Sequence, residues 1–323
     1  MKIGKLTNEQ LRQLVLDKLH ISRREVKVGA GVGIDCAVLD LEGDYCVLST
    51  DPITAAEQGA GALAVHISAN DIAASGGEPV AILVTILLPS TETMEGLSAR
   101  MEEIYREAKG LHIDVVGGHT EVTDAVNRTV ISVAAIGRTD RVMSCRDIRP
   151  GDWLVQTKSA GLEGTVILFR DHPADWEGLL SETELAELRQ MQDSLSIVRE
   201  ARIGKEAGAV VMHDVTEGGV LGAAYELAEA AGRGLRVDAG EIPVSPITRK
   251  IAGRYGIDPY RLISSGSLFI AISADRGPAM LAAFSAAGIP ARRIGEFTTG
   301  TRIWEAEAGD LLPPSQDELF LAK

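Results

Sequence analysis

Four acids stand where apolar runs end or chain direction changes, and a fifth lies inside an alanine-rich stretch. Asp35 follows Gly31-Val32-Gly33-Ile34, Asp51 follows Val47-Leu48-Ser49-Thr50, and Glu121 follows Gly117-Gly118-His119-Thr120. Asp214 comes just after the apolar run Ala209–Met212, and Asp71 lies inside an alanine-rich stretch. Loops at strand ends are where chemistry is usually grafted onto a fold. Two unpaired carboxylates about 4 Å apart repel by about 4 kcal/mol at an effective dielectric of 20. Acids that converge therefore bind a cation or hold a proton, and all-oxygen ligands suit Mg²⁺ bridging to phosphates.

Asp71 is the most informative of these residues. Leu63, Ile67 and Asp71 follow one another at four-residue steps, which puts the carboxylate on an otherwise apolar helical face. A lone carboxylate there is costly without a partner. The alternative is a helix turned so that Asp71 reaches solvent. Asn70 beside it offers a second oxygen ligand. Asp35 and Asp51 taken singly also fit ordinary loop and turn roles, since Asp-Pro is turn chemistry.

Two glycine-rich segments could wrap an anion with backbone N–H groups. Gly29–Gly33 is neither a dinucleotide fingerprint nor a phosphate loop of the GxxxxGK type. In Lys158-Ser159-Ala160-Gly161-Leu162-Glu163-Gly164-Thr165 a strand ends and a helix begins, so N–H groups and a helix dipole could face a phosphate. His119 and His213 follow apolar strands. A neutral imidazole is a poor Mg²⁺ ligand, so His119 reads as a donor to phosphate or a proton carrier, and His213 as a structural histidine.

These residues need elements to hold them. The periodicity gives a short helix over 8–20, strands over 37–41 and 45–50, a helix over 60–75 stopped by Gly76-Gly77, and a strand over 80–88. A charged amphipathic helix follows over 92–109, then a buried strand over 113–116 ending in Gly117-Gly118, and a strand over 129–138. Arg149-Pro150-Gly151-Asp152 is turn chemistry and marks a boundary, giving domains over 1–148 and 149–323. The second half reads as strand 153–158, helices near 165–170, 182–192 and 195–206, strand 209–212, helix 220–231, strand 267–273, helix 278–287 and strand 292–297. The expected class is α+β, two domains with mixed sheets covered by helices.

The chain has 323 residues, ordinary globular content at 45% hydrophobic and 24% charged, and a net charge of 32 − 46 = −14. That balance argues against nucleic acid and against an anionic membrane surface. The three cysteines, Cys36, Cys46 and Cys145, form no CxxC pair and no zinc spacing. A sparse, odd count suits a reducing cytoplasm. The first twenty residues carry acids and no apolar signal core, and the longest apolar runs, such as Pro79–Pro89, are too short to span a bilayer.

Taken in order, Gly31-Val32-Gly33-Ile34-Asp35-Cys36-Ala37-Val38, Ser49-Thr50-Asp51-Pro52, Asn70-Asp71-Ile72-Ala73-Ala74-Ser75-Gly76-Gly77, Gly117-Gly118-His119-Thr120-Glu121 and His213-Asp214-Val215-Thr216-Glu217-Gly218-Gly219-Val220 resemble the motifs of the aminoimidazole ribonucleotide (AIR) synthetase superfamily. The resemblance runs from about residue 25 to 305 and is nearest the hydrogenase-maturation carbamoyl dehydratase branch. It implies an N-terminal mixed sheet that forms a barrel across a homodimer and a C-terminal α/β sandwich-like domain. It further implies ATP, with Mg²⁺ on Asp35, Asp51, Asp71 and Asp214. Gly31, Gly33, Asn70, Gly118, Thr120, Lys158 and Gly164 would bind the nucleotide, and His119 and Glu121 would be catalytic, with the segment 118–121 supplied across the dimer. The implied chemistry is phosphorylation or dehydration at an amide- or carbamoyl-type oxygen of a small substrate. A kinase of the thiamine-monophosphate type and a nucleotide-binding dimer without turnover are the rivals. Two features depart from the pattern. Some relatives carry two adjacent acids where this chain has Asp35-Cys36, and some carry an acid or amide in place of His119. No cysteine follows Cys145, so the self-modified terminal thiol of that branch has no counterpart in these residues.

Overall fold

The computed structural model describes residues 8, 9, 12, 26–28, 31–40, 43–54, 56, 58–306, 309–313 and 316–322. The helix expected over 8–20 lies mostly outside the described residues.

The first half builds a six-stranded sheet. Its strands are β1 (Val26–Val28), β2 (Ala37–Asp40), β3 (Tyr45–Ile53), β4 (Glu78–Leu88), β5 (Asp114–Val122) and β6 (Val130–Thr139), in the order β1-β2-β3-β6-β4-β5. Neighbours are antiparallel except β4 and β5, which are parallel. Alternation along β6 buries Ile131, Val133 and Ala135, the period-two pattern of a half-covered strand. Helices α1 (Ala60–Ala74) and α2 (Met94–Gly110) pack together, and α1 lies against β3 and β6. Small residues let α1 approach closely: a Cβ at Gly137 would fall 2.2 Å from Ile72 Cγ2. The helix stops as its Gly76-Gly77 signal predicts, with Gly76 at φ 77° and Gly77 N–H donating to Ile72 O at 2.9 Å.

The second half builds a seven-stranded sheet. Its strands are β7 (Trp153–Thr157), β8 (Val211–Val215), β9 (Gly234–Val237), β10 (Ser267–Ile272), β11 (Ala291–Thr298), β12 (Ile303–Glu305) and β13 (Gly309–Asp310), in the order β13-β12-β9-β11-β7-β10-β8. The helices are α3 (Leu162–Asp171), α4 (Glu182–Gln192), α5 (Val198–Glu206), α6 (Gly219–Ala231), α7 (Pro246–Tyr255) and α8 (Gly277–Ala286). Helices cover both faces. Phe269 and Ala271 of β10 join the core under α6, while Leu268, Ile270 and Ile272 join the core under α5 and α8. A strand buried on both sides reads as a continuous apolar run, as Leu268–Ile272 does. Helix α1 packs against α5 and β8 as well as its own sheet, so both of its sides are buried.

Three expectations change. The strand expected to be buried over 113–116 and to end at Gly117-Gly118 instead runs to Val122, and every residue from 116 to 122 is exposed. It continues because glycine permits the close pairing: a Cβ at Gly118 would sit 1.8 Å from Val84 O. Asp51 lies inside β3, and His213 and Asp214 lie inside β8, where both are buried. Ladder pairing carries these strands past the point where their apolar residues stop. Helix α7 was not expected, although Ser245 caps it, Pro246 opens it and Gly256 closes it.

Candidate active site

Strand β3 aims Ser49 and Asp51 to one side, two residues apart. Asp71 comes from α1 and is only 8% exposed. Ser49 Oγ hydrogen-bonds Asp71 Oδ2 and stands 3.4 Å from Asp51 Oδ2. Burial, and then the charges of Asp214, Asp51 and Asp35, push the Asp71 carboxyl well above the usual carboxylate range. This mutual repulsion is what four converging acids must show before a cation arrives.

The glycine loop brings Asp35 against His213 of β8. Gly33 needs its glycine: φ is 68° and a Cβ would fall 2.9 Å from Glu226 O of α6. Asp35 Oδ1 then lies 2.7 Å from His213 Nδ1, and His213 Nε2 stands 4.0 Å from Glu226 Oε2. Desolvation lowers the affinity of His213 for a proton, but the neighbouring charges of Asp35, Asp214 and Glu226 outweigh it and push its pKa up to about 9.

A cavity of about 740 Å³ is lined by Gly31, Gly33, Asp35, Asp51, Asp71, His213 and Asp214, and on another side by Thr216, Leu319 and Phe320. Its volume falls in the range of small-ligand pockets. An all-oxygen set of carboxylates with one serine hydroxyl fits a hard divalent cation.

Other expected nucleotide-site residues are placed elsewhere. Asn70 is fully buried and faces the second domain, donating from Nδ2 to Leu195 O at 2.8 Å and accepting from Ile197 N–H at 2.9 Å. Both ends of its amide are engaged between the domains, and it is not among the residues lining the cavity. Lys158 Nζ donates to Ser194 O and Ser196 O and pairs with Glu200 Oε1 at 2.8 Å. Burial lowers its pKa while Glu200 raises it, and its three donors are consumed away from the cavity. Gly164 N–H donates to Ile263 O, and a Cβ there would press on Leu262, so this glycine serves packing. Gly118, His119, Thr120 and Glu121 lie on the exposed strand β5 and do not line the cavity. His119 Nε2 and Glu121 Oε2 are 2.9 Å apart, with side chains 63% and 49% exposed.

Sequence reasoning gave Ser49 no role of its own and read His213 as a structural histidine, and both line the cavity. Ser49 carries a signal, two residues before Asp51 on the same strand face. His213 adjoins Asp214 but shows its role only when Asp35 is brought to it.

The N-terminal domain model of the AIR synthase related proteins matches residues 33–139, and the C-terminal domain model matches residues 149–304. The chain is 28% identical over 274 residues to carbamoyl dehydratase HypE of Escherichia coli, covering 81% of this chain and 79% of that protein. A solved structure of the hydrogenase maturation protein HypE in complex with ATP shares the fold, with a TM-score of 0.73 at 24% identity over 98% of this chain and 97% of that one. Thiamine monophosphate kinase from Aquifex aeolicus shares it at a TM-score of 0.71 and 19% identity, over 97% and 100% of the two chains. Both family domains are present in order, and the loop, strand and helix that carry their acids close on one cavity: the chain is an enzyme of the AIR synthase related family.

Proposed function

We propose that this enzyme uses ATP and Mg²⁺ to phosphorylate or dehydrate an amide- or carbamoyl-type oxygen of a small substrate. The convergence of Asp35, Asp51, Asp71 and Asp214 on one cavity carries the reading. Such repulsion is offset only by protons or by a cation. The four acids would hold Mg²⁺, which when bound neutralises phosphate charge. The glycine loop at Gly31 and Gly33 lies beside them, positioned to receive phosphate oxygens. Catalysis of this kind is mostly positioning and charge neutralisation. The likeness to HypE in complex with ATP supports the nucleotide, and the likeness to thiamine monophosphate kinase supports plain phosphoryl transfer as the second reading. Formation of ADP with a retained phosphoester on the acceptor separates the kinase from the dehydratase. ATP binding with no ADP over candidate acceptors points to a non-catalytic dimer.

Strand β5 supports assembly. Its edge is open, and Val80, Leu83, Val116 and Val122 are exposed large apolar residues. Pairing with a two-fold mate removes the edge and covers those side chains. A homodimer would also bring His119, Thr120 and Glu121 toward a nucleotide, where Gly118 allows close backbone approach. We place the domain junction between residues 148 and 149 and the protein in the cytoplasm. No described helix is long and apolar enough to cross a membrane.

The test is calorimetric ATP binding with Mg²⁺ and with excess EDTA, in wild type and Asp71→Asn. The expected result is a loss of at least tenfold, about 1.4 kcal/mol, in the variant and on chelation. Equal affinity in all cases would overturn the metal role.

A further inference from the structure

A second cavity lies away from the converging acids, on the seam between the two domains. Its volume is about 170 Å³. A cavity of about 150 Å³ accepts a molecule of about six non-hydrogen atoms, the size of benzene. The start of α1 and the side of α2 form its first-domain wall, and α3 with the end of α4 forms the other. Leu63, Val166 and Ile167 make part of that lining apolar.

Most of the charged groups around it already have partners. Glu107 Oε1 accepts from Arg106 Nε at 2.9 Å, and Glu107 Oε2 stands 3.1 Å from His66 Nε2. Glu163, which also borders the larger cavity, is engaged as well. Arg170 and Asp193 differ. Both line the cavity, and among the described residues neither side chain has an ion-pair partner.

The surroundings of Arg170 favour a carboxylate. Gly59 precedes α1 with φ 72°, and a Cβ there would fall 2.4 Å from Arg170 Nη1. The guanidinium therefore rests against the first turn of the helix. Helix α1 has no side-chain cap and no acid in that turn, so its partial positive charge is left uncompensated there. A guanidinium also pairs with a carboxylate through two parallel hydrogen bonds. A simple anion would be repelled by Asp193, and a simple cation by Arg170 and the helix dipole. A ligand with a carboxylate at one end and an ammonium group at the other meets both.

We propose that this cavity binds a small zwitterionic amino acid of the size of alanine, with its carboxylate on Arg170 at the start of α1 and its ammonium group at Asp193. Bound there, the ligand touches α1 of the first domain and α3 of the second, and it stabilises the folded chain by mass action. The site is independent of the nucleotide reading, since neither Arg170 nor Asp193 lines the cavity of the acids.

The experiment uses the full chain without nucleotide, with L-alanine, acetate, ethylamine and L-tryptophan as probes. Saturation-transfer NMR reads binding, and scanning calorimetry reads stability. The expected result is alanine bound in the millimolar range with a rise in unfolding temperature. Acetate and ethylamine should bind at least tenfold more weakly, and tryptophan, too large for the cavity, should not displace alanine. Arg170→Gln and Asp193→Asn should each weaken alanine at least tenfold with circular dichroism unchanged. No alanine binding at millimolar concentration, acetate held as tightly as alanine, displacement by tryptophan, or unchanged alanine affinity in folded Arg170→Gln overturns the inference. If Arg170→Gln does not fold, Asp193→Asn decides in its place.

Discussion

Asn70 and Ile197 join the two domains: the Ile197 N–H donates to Asn70 Oδ1 at 2.9 Å, while Asn70 Nδ2 donates to Leu195 O at 2.8 Å. One side chain of α1 thus fixes the segment that leads into α5, and its chain neighbour Asp71 faces the cavity. Asn70→Ala leaves a buried N–H and a buried carbonyl without partners, each worth about 1–3 kcal/mol. The variant is expected to lose about 2–6 kcal/mol of stability. Thermal and urea unfolding measure this, and a variant as stable as wild type contradicts the structural role of Asn70.

Asp317 gives the clearest pH signature. It is 1% exposed and accepts N–H bonds from Gly218, Ile263 and Leu319. Burial outweighs those donors and raises its pKa from 3.8 to about 6. The folded state therefore binds the proton more tightly than the unfolded state does. Its contribution is fully present below pH 3.8 and is lost as pH rises through about 6, by about 3 kcal/mol. The stability of wild type minus that of Asp317→Asn should fall between pH 4 and 7 in urea titrations. A difference that is flat or rising with pH contradicts the assignment.

The open edge of β5 predicts self-association. Sedimentation at micromolar concentration should give the mass of two chains. Val116→Lys places a charge on the exposed strand and should weaken the dimer at least tenfold, about 1.4 kcal/mol. A wild-type monomer at that concentration rules the dimer out.

The cysteines should be inert in the folded protein. Burial, and then Asp71, push the Cys36 thiol well up, and burial raises Cys145 to about 12. Cys46 is half-buried and is also raised by burial. The thiolate is the nucleophile, so iodoacetamide at pH 7.5 should leave Cys36 and Cys145 unmodified until denaturant is added. Intact mass after incubation with ATP and a carbamoyl donor should show no adduct. Cys36→Ala should keep most of the ATP-consuming activity, and a stoichiometric adduct on any cysteine would mean that the chain modifies itself.

From the residues alone follow the alternating strands and helices, the end of α1 at Gly76-Gly77, and five acids worth watching, Asp35, Asp51, Asp71, Glu121 and Asp214, of which the family resemblance selected four as metal candidates. Each is a local matter: side-chain period, backbone freedom, or the cost of a carboxylate on an apolar face. Local pattern could not distinguish the neighbours Asn70 and Asp71, because helix geometry turns one toward Leu195 and Ile197 and the other toward Ser49. Nor could it show that Lys158, after a strand and before glycines, spends its charge on Glu200 and two carbonyls. The exposure of β5 depends on which strand it pairs with and on its place at the edge of the sheet, where no described strand pairs with its outer side. His213 gained its significance from Asp35, 178 positions away in the chain. Long-range packing decides which polar groups satisfy one another, and only the groups left facing the cavity are available for chemistry.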